Sequence, residues 1–200
     1  SREQLAMRLL SAEARVDGQR LRRGQLADED WQKLSYGLGR LSEAPLYIDD
    51  SPTLTALDIR ARSRRLKAEA GLGLIVIDYL QLIQGKARSE NRQQEIAEIT
   101  RSLKALAREL RVPVVALAQL SRAVETASER RPLLSHLKES GEIETAADVV
   151  AFIYREDYYN ANTQKKNVAE IIIAKQRNGP TGSVELMWRR EFTRFENLYQ

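Results

Sequence analysis

The chain has 200 residues, 42% of them hydrophobic, which is enough for one domain of ordinary size with its own core. It contains no cysteine and a single histidine, which excludes a disulfide framework, a cysteine nucleophile and a multi-histidine metal site. The 32 basic and 28 acidic residues leave a net charge of +4, a balance that permits a nucleic-acid partner without requiring one. Because no apolar run approaches the ~18 residues of a membrane span, we expect a soluble, cytoplasmic protein with no membrane partner.

The first quarter of the sequence predicts two helices. Residues 1–12 carry apolar side chains at helical spacing, so the chain begins within a helix, and we expect it to belong to a longer protein. The basic segment 18–24 is bounded by glycines and predicts a turn. A second helix is predicted over residues 28–41, since an acidic cluster opens it and Pro45 follows it.

From residue 46 onward the pattern predicts alternating strands and helices. Thr55 with Asp58 three residues later predicts a capped helix that reaches about residue 70, and the apolar seam of residues 91–110 predicts an amphipathic helix. Apolar runs predict strands at 46–48, 74–77, 112–118, 148–154 and 168–174. The unit 74–118 has the length of a parallel strand-helix-strand crossover. The two last strands, around 184–188 and 192–195, predict an antiparallel hairpin at the sheet edge.

Polar residues follow several of these predicted strands, at the end of a parallel sheet where ligands collect. They are Asp78, Gln119, Lys175, Arg177 and the pair Asp49–Asp50. An acid, an amide and a Lys-x-Arg pair suit a phosphate-bearing ligand with a divalent metal, because Mg²⁺ takes carboxylate oxygens and arginine binds phosphate. The alternative for each is a strand end that meets water. Asp49–Asp50 is interpreted as a turn and His136 as a solvated loop residue.

A phosphate-binding P-loop, GxxxxGK[ST], occurs nowhere in the sequence. The nearest candidate is Gly85-Lys86, but Ala87 follows it and no glycine stands five residues before it. The chain as written therefore lacks its own triphosphate cradle.

Four long segments carry a resemblance to a known family. They are LGLIVIDYLQLIQG (72–85), NRQQEIAEITRSLKALARELRVPVVALAQLSRAVE (91–125), LKESGEIETAADVVAFIYRE (137–156) and AEIIIAKQRNGPTGSVEL (169–186). In order and content they resemble the C-terminal RecA-like motor domain of the bacterial replicative DNA helicases, the DnaB family, over essentially all 200 residues. The resemblance implies an α/β RecA-like three-layer sandwich, with a mostly parallel central sheet and a C-terminal antiparallel hairpin at its edge.

The resemblance also implies a set of nucleotide-binding residues, with ATP and Mg²⁺ as cofactors. Asp78 matches the Walker B aspartate, which holds Mg²⁺ directly or through water. Gln119 matches a glutamine that senses the γ-phosphate and links it to the DNA-binding loops. Lys175 and Arg177 match a pair that reaches the γ-phosphate of the neighbouring subunit, as an arginine finger in trans. Arg8 falls at a position that contributes to the nucleotide pocket.

A second implied set binds the phosphate backbone of single-stranded DNA inside the ring. Lys138, Glu139 and Gly141 match that loop, although the family usually has arginine where this chain has Lys138, so a bidentate contact becomes a point-charge contact. Lys86, Arg88 and Arg92 are further candidates for the channel surface.

The implied parent protein is a homohexameric ring that unwinds duplex DNA by ATP hydrolysis while it moves 5′-to-3′ on single-stranded DNA, and that meets primase and a helicase loader. The family's P-loop, catalytic glutamate and N-terminal collar domain have no counterpart in residues 1–200; Glu3 is not that glutamate. We therefore expect a partial motor domain that cannot hydrolyse ATP alone.

Two other functions fit part of the pattern. One is a DNA-binding or assembly module without ATPase activity. The other is a recombinase or clock-type relative on the same fold, against which the segments KESGEIE and KQRNGPTG argue.

Overall fold

The computed structural model describes residues 1–85, 92–121, 124 and 130–198, and for residues 138–140 it describes the main chain alone. The chain divides into two compact units. The first comprises residues 1–50, 153–172 and 183–200, and the second comprises residues 51–152 and 173–182. Each unit contains its own cluster of buried apolar side chains. Among the helices in the described part of the chain, none combines the length and the apolar composition that a bilayer crossing requires.

The first unit begins with three helices: α1 (Arg2–Ala14), α2 (Gly18–Arg23) and α3 (Asp28–Glu43). α1 packs against α3, and the core between them is formed by Ala14, Val16 and Leu34. The turn predicted for residues 18–24 is wrong, because residues 18–23 form α2. The side chain of Asp17 caps this short helix, and Gly24 ends it in the left-handed conformation with φ +67°.

The second unit contains the helices and strands that surround the predicted site. In chain order they are α4 (Ala56–Ala70), β1 (Ile75–Ile77), a 3₁₀ helix (Leu80–Leu82), α5 (Arg92–Leu110), β2 (Val114–Ala116), a second 3₁₀ helix (Leu134–Ser140) and α6 (Gly141–Ala146). The predicted cap of α4 is confirmed: Asp58 N–H donates to Thr55 Oγ1 at 3.2 Å, and Thr55 N–H donates to Asp58 Oδ2 at 2.9 Å. The strand predicted at 46–48 is wrong, since these residues form no strand.

The predicted strand-helix-strand unit is confirmed. β1 and β2 are parallel, with Ile75 opposite Val114 and Ile77 opposite Ala116. The connecting helix α5 buries one face on this pair. Its buried residues are those of the predicted seam: Ile96, Ile99, Leu103, Leu106 and Leu110. The core of the second unit therefore lies between α5 and the parallel strands, and it fixes the carboxyl ends of β1 and β2.

A second sheet has the strand order β3-β4-β5-β6. Its elements are β3 (Val149–Tyr154), α7 (Glu156–Tyr159), β4 (Val168–Gln176), β5 (Gly182–Arg189) and β6 (Arg194–Asn197). The predicted edge hairpin is confirmed, since β5 and β6 are antiparallel. Trp188 faces Phe195 across it, with ring centroids 4.7 Å apart. The N–H of Arg177, which follows β4, donates to the carbonyl of Asp148, which precedes β3, at 2.9 Å, so these neighbouring strands also run antiparallel.

Candidate functional site

Asp78 lies at the carboxyl end of β1, where the sequence predicted it. The carbonyl of Ile77 accepts a hydrogen bond from the N–H of Leu117 at 2.9 Å, and the N–H of Leu80 donates to the carbonyl of Leu117 at 2.9 Å. The chain after β1 therefore stays beside the chain after β2. The Asp78–Tyr79 peptide bond is cis. The Asp78 side chain is exposed at this edge, where its carboxylate is accessible to a metal ion or to water.

Gln119 lies three residues beyond β2 and is held by a residue that the sequence analysis missed, Gln81. The side-chain amide of Gln81 donates to the carbonyl of Gln119 and accepts from its N–H, both at 3.4 Å. These bonds are long for N–H···O contacts, but together they fix the main chain of Gln119 at two points. Gln81 lies in the 3₁₀ turn that follows Asp78. The one feature of the sequence that could have indicated its role is its polar side chain between two leucines.

The main chain of Gln81 is in turn bound by Arg92. Arg92 Nη2 donates to the Gln81 carbonyl at 2.6 Å, and its other amino group pairs with the Glu95 carboxylate. Glu95 Oε1 also accepts from the N–H of Gly85 at 2.6 Å, and a Cβ atom at Gly85 would collide with the Glu95 side chain. The hydrogen bond from Arg92 holds the pKa of Glu95 below its ordinary value. This network joins the two positions, Gly85 and Arg92, that flank residues 86–91.

Lys175 and Arg177 meet at the carboxyl end of helix α6. Lys175 Nζ donates to the Glu144 carbonyl and, at 3.3 Å, to the Thr145 carbonyl. Arg177 Nη2 donates to the Thr145 carbonyl at 2.8 Å. The last carbonyls of a helix have no partner within the helix and carry its negative dipole end, so cations are favourable there. Both side chains of the predicted Lys-x-Arg pair therefore bind main-chain carbonyl groups at the same end of α6.

Asp148 completes this cluster and was missed by the sequence analysis. Its carboxylate pairs with Lys104 of α5 and lies 3.6 Å from Arg177 Nε. The hydrogen bond from Lys104, reinforced by the charges of Lys104 and Arg177, holds the pKa of Asp148 below its ordinary value. Asp148 precedes a strand, whereas the ligand-binding positions of a parallel sheet follow its strands. Because β3 and β4 run antiparallel, Asp148 just before β3 lies beside Arg177, which follows the end of β4.

The structure thus assembles two separate clusters in the second unit. Within the described residues, no hydrogen bond or ion pair links Lys175 or Arg177 to Asp78 or Gln119. Arg8 is exposed on α1 in the first unit. The described residues contain no group of three or more His, Asp or Glu side chains that could hold a metal ion. Asp78 is therefore the metal-ligand candidate, as one carboxylate that would need phosphate and water to complete a Mg²⁺ shell.

The model of one protein family, the DnaB-like helicase C-terminal domain, matches residues 1–197. The chain belongs to this family. It is 60% identical over 199 residues to the replicative DNA helicase DnaB of Geobacillus stearothermophilus, a match that covers 99% of this chain and 44% of that protein. It is 57% identical over 197 residues to the replicative DNA helicase DnaC of Bacillus subtilis, covering 98% of this chain and 43% of that protein. The chain thus spans less than half the length of these relatives.

Two solved structures confirm that the fold is the predicted RecA-like α/β fold. One is an ATPase domain with 39% identity and a TM-score of 0.95, matched over 99% of this chain and 71% of its own. The other is a DnaB-like replicative helicase, described with its interactions with primase; it has 40% identity and a TM-score of 0.92, over 96% of this chain and 47% of its own. This member of the DnaB-like family has the α/β fold of the RecA-like helicase ATPase domains.

The candidate DNA-binding segment of this DnaB-like domain runs directly into α6. The main chain of Lys138 and Glu139 belongs to the 3₁₀ helix Leu134–Ser140, and Gly141 is the first residue of α6. The side chains of Lys138 and Glu139, together with all of Lys86 and Arg88, lie outside the described residues. The carboxyl end of the same six-residue helix accepts Lys175 and Arg177.

Proposed function

We propose that this chain is the C-terminal motor domain of a replicative DNA helicase that acts in the cytoplasm as a homohexameric ring. The whole protein hydrolyses ATP, moves 5′-to-3′ on single-stranded DNA and separates the duplex ahead of it. Family membership supports the helicase function. The relative that was described with primase supports a primase partner, and a helicase loader is proposed on the family resemblance alone.

One observation carries the assignment of the finger residues. Lys175 and Arg177 both bind the carboxyl end of α6, and within the described residues neither forms a hydrogen bond or an ion pair with Asp78 or Gln119 of the same chain. Such an arrangement suits groups that act on a nucleotide held by the neighbouring subunit. Two cations are also the groups that best stabilise the charge of a transferring phosphoryl group.

The remaining candidate residues have side chains that suit a nucleotide with Mg²⁺ or the DNA backbone. Asp78 would hold Mg²⁺, directly or through water, and its exposed carboxylate fits an ion that usually binds one or two protein carboxylates and completes its shell with phosphate and water. When bound, Mg²⁺ neutralises phosphate charge. Gln119, with its main chain fixed by Gln81, would detect the γ-phosphate through its side-chain amide. Arg8 would contribute to the nucleotide pocket, and Lys138, Glu139 and Gly141 would grip the DNA backbone.

The proposal concerns the ATPase of the whole protein. The 200-residue sequence contains no GxxxxGK[ST] motif, so a polypeptide limited to these residues is not expected to bind or hydrolyse ATP. Calorimetric titration of that polypeptide with Mg-ATP checks this expectation. Micromolar affinity would contradict it and would place the triphosphate on residues other than a P-loop.

The decisive experiment is Arg177→Ala in the full-length helicase, followed by steady-state ATP hydrolysis with single-stranded DNA present. A trans arginine accounts for roughly 10³- to 10⁵-fold in turnover, so the variant should lose about that much activity. Arg65→Ala is the matched control, because Arg65 is an exposed arginine on α4 whose pair with Glu69 is 4.0 Å long; it should leave turnover unchanged. ATPase activity of Arg177→Ala within tenfold of wild type would overturn the assignment.

A further inference from the structure

The guanidinium of Arg177 is held by two neighbours, Thr145 of α6 and Asp148 of the segment between α6 and β3. Thr145, near the end of α6, accepts from Nη2 at 2.8 Å. The carboxylate of Asp148 lies 3.6 Å from Nε, and the carbonyl of Asp148 accepts the main-chain N–H of Arg177 at 2.9 Å. Asp148 therefore contacts Arg177 through both its side chain and its main chain.

A third residue, Lys104, contacts Asp148 rather than Arg177. Lys104 of α5 forms an ion pair with the Asp148 carboxylate, and it is only 23% exposed. α6 packs against α5, and Ile143 of α6 packs on the buried core of the second unit. The Asp148 side chain is itself 59% exposed; one of its carboxylate oxygens pairs with the partly buried Lys104 of α5, and the other faces Arg177.

These contacts use one edge of the guanidinium. Nε and Nη2 face Asp148 and Thr145, and within the described residues Nη1 makes no hydrogen bond. The side chain remains 45% exposed. A free arginine side chain has many rotamers, and ordering one for catalysis costs side-chain entropy at each turnover unless the fold has already restricted it. In this structure the contacts with Thr145 and Asp148 already restrict the Arg177 side chain, and they leave its Nη1 group available.

We propose that Asp148 is a positioning residue for Arg177: it fixes the Nε edge of the guanidinium so that Nη1 is presented to the phosphate of a neighbouring subunit. This inference rests on the proposed function, since it assumes that Arg177 acts in trans. Asp148 itself touches neither the nucleotide nor the reacting atoms. A simpler interpretation is that the same contacts only cap α6 and form an exposed ion pair, and the two interpretations predict different kinetics.

The test uses Asp148→Asn in the full-length helicase, which keeps the side-chain shape and the main-chain carbonyl but removes the charge. A misplaced finger weakens only the transition state, so kcat and kcat/KM should fall together by about 10- to 100-fold while KM for ATP stays unchanged. Glu109→Gln is the matched control. Glu109 pairs with two arginines of α4, Arg60 and Arg64, so this variant also breaks two ion pairs in the second unit and should leave kcat unchanged. Thermal unfolding of both variants measures any structural loss.

Combining Asp148→Asn with Arg177→Ala distinguishes a positioning role of Asp148 from a purely structural one. If Asp148 acts through Arg177, the second substitution adds no further loss to Arg177→Ala, measured by single-turnover hydrolysis with enzyme in excess. An equal fold-loss in both backgrounds, or a wild-type kcat for Asp148→Asn beside an inactive Arg177→Ala, would overturn the inference and leave the proposed function standing. An active Arg177→Ala would overturn both.

Discussion

Asp17 is the residue that makes a helix of a segment whose sequence predicts a turn. Its carboxylate accepts the N–H groups of Gln19 at 2.7 Å and Arg20 at 2.9 Å, which are among the donors that the first turn of a helix leaves unpaired. The hydrogen bond from Arg20, with that from Gln19, lowers the pKa of Asp17. A six-residue helix has little intrinsic stability, so its cap contributes a large share.

Replacing this cap gives the first prediction. Asp17→Ala should lower the free energy of unfolding by about 1 kcal/mol, whereas Asp17→Asn should cost less, because asparagine caps nearly as well. The folded-state pKa of Asp17 lies below the unfolded value of about 3.9, so the ionised carboxylate stabilises the fold above that pH. This contribution is lost as the pH falls through the folded-state pKa.

Urea unfolding at neutral and acidic pH measures both effects. The advantage of wild type over Asp17→Asn should shrink as the pH falls below about 4. Equal destabilisation by alanine and asparagine at neutral pH would contradict the capping role of the side chain.

At the scale of elements, α1 and α3 approach closely where Gly37 faces Ala14. A Cβ atom built on Gly37 would lie 3.1 Å from the Cβ of Ala14 and 3.3 Å from its main-chain nitrogen, which is tighter than ordinary van der Waals contact. Gly39, two residues further along α3, has nothing within 4 Å of the corresponding position. The same helix therefore contains one glycine that the packing requires and one that it does not.

Alanine at Gly37 and alanine at Gly39 should have opposite effects on stability. Gly39→Ala should raise the free energy of unfolding by up to about 1 kcal/mol, because alanine favours an exposed helix interior over glycine. Gly37→Ala gains the same propensity but crowds Ala14, and overpacking of this kind costs about 1–3 kcal/mol. Gly37→Ala should thus be the less stable variant by that margin in denaturant unfolding. Equal stabilisation by both substitutions would show that α1 and α3 can move apart freely.

The two helices α5 and α4 were predicted correctly because each has a distinctive sequence pattern. The seam of α5 recurs at five positions at helical spacing, and the capping box of α4 is a local chemical signature, so both could be predicted without tertiary information. The segment 46–48 has only three apolar residues and pairs with no strand in the described part of the chain; Leu46 and Tyr47 are 54% and 57% exposed. A strand is stabilised by its partners, which a three-residue pattern does not specify.

The residues of the candidate site also divide into those that a sequence pattern predicts and those whose roles depend on tertiary structure. Asp78 and Gln119 were found because they follow apolar strands of a parallel pair, which is a rule about sequence order. Asp148 and Gln81 were missed because their roles depend on pairing and on a turn. Asp148 reaches Arg177 only because β3 and β4 run antiparallel, and Gln81 reaches Gln119 only because a 3₁₀ turn folds back beside β2.

At the scale of the whole molecule, each cluster of candidate nucleotide residues is connected to one candidate DNA segment. Gln119 is linked through Gln81 to Arg92, which flanks residues 86–91. Lys175 and Arg177 bind the end of α6, whose first residue closes the segment of Lys138. A change at either candidate nucleotide contact therefore has a short covalent and hydrogen-bonded route to a candidate DNA contact, as the proposed coupling of hydrolysis to movement requires.

The third prediction tests whether Lys138 contacts DNA from several subunits at once. Each phosphate contact to single-stranded DNA contributes about 0.7 to the slope of log affinity against log salt concentration. Lys138→Ala in the full-length helicase removes one cation from every subunit, so the slope should fall by about 0.7 for each subunit that is engaged. Fluorescence anisotropy with labelled single-stranded DNA across a salt series measures it. A decrease well above 0.7 indicates several engaged subunits, as a ring around the strand requires.

Two further variants make the test specific. Lys138→Arg keeps the charge, so the slope should stay unchanged, while affinity should rise because a guanidinium can bind phosphate at two points. Lys33→Ala, at an exposed position of α3 where the lysine pairs with Glu29 at 3.9 Å, should leave both slope and affinity unchanged. If Lys138→Ala and Lys33→Ala give the same slope as wild type, Lys138 does not neutralise a phosphate. The candidates left for the DNA affinity would then be Lys86 and Arg88, together with Arg92 at the start of α5.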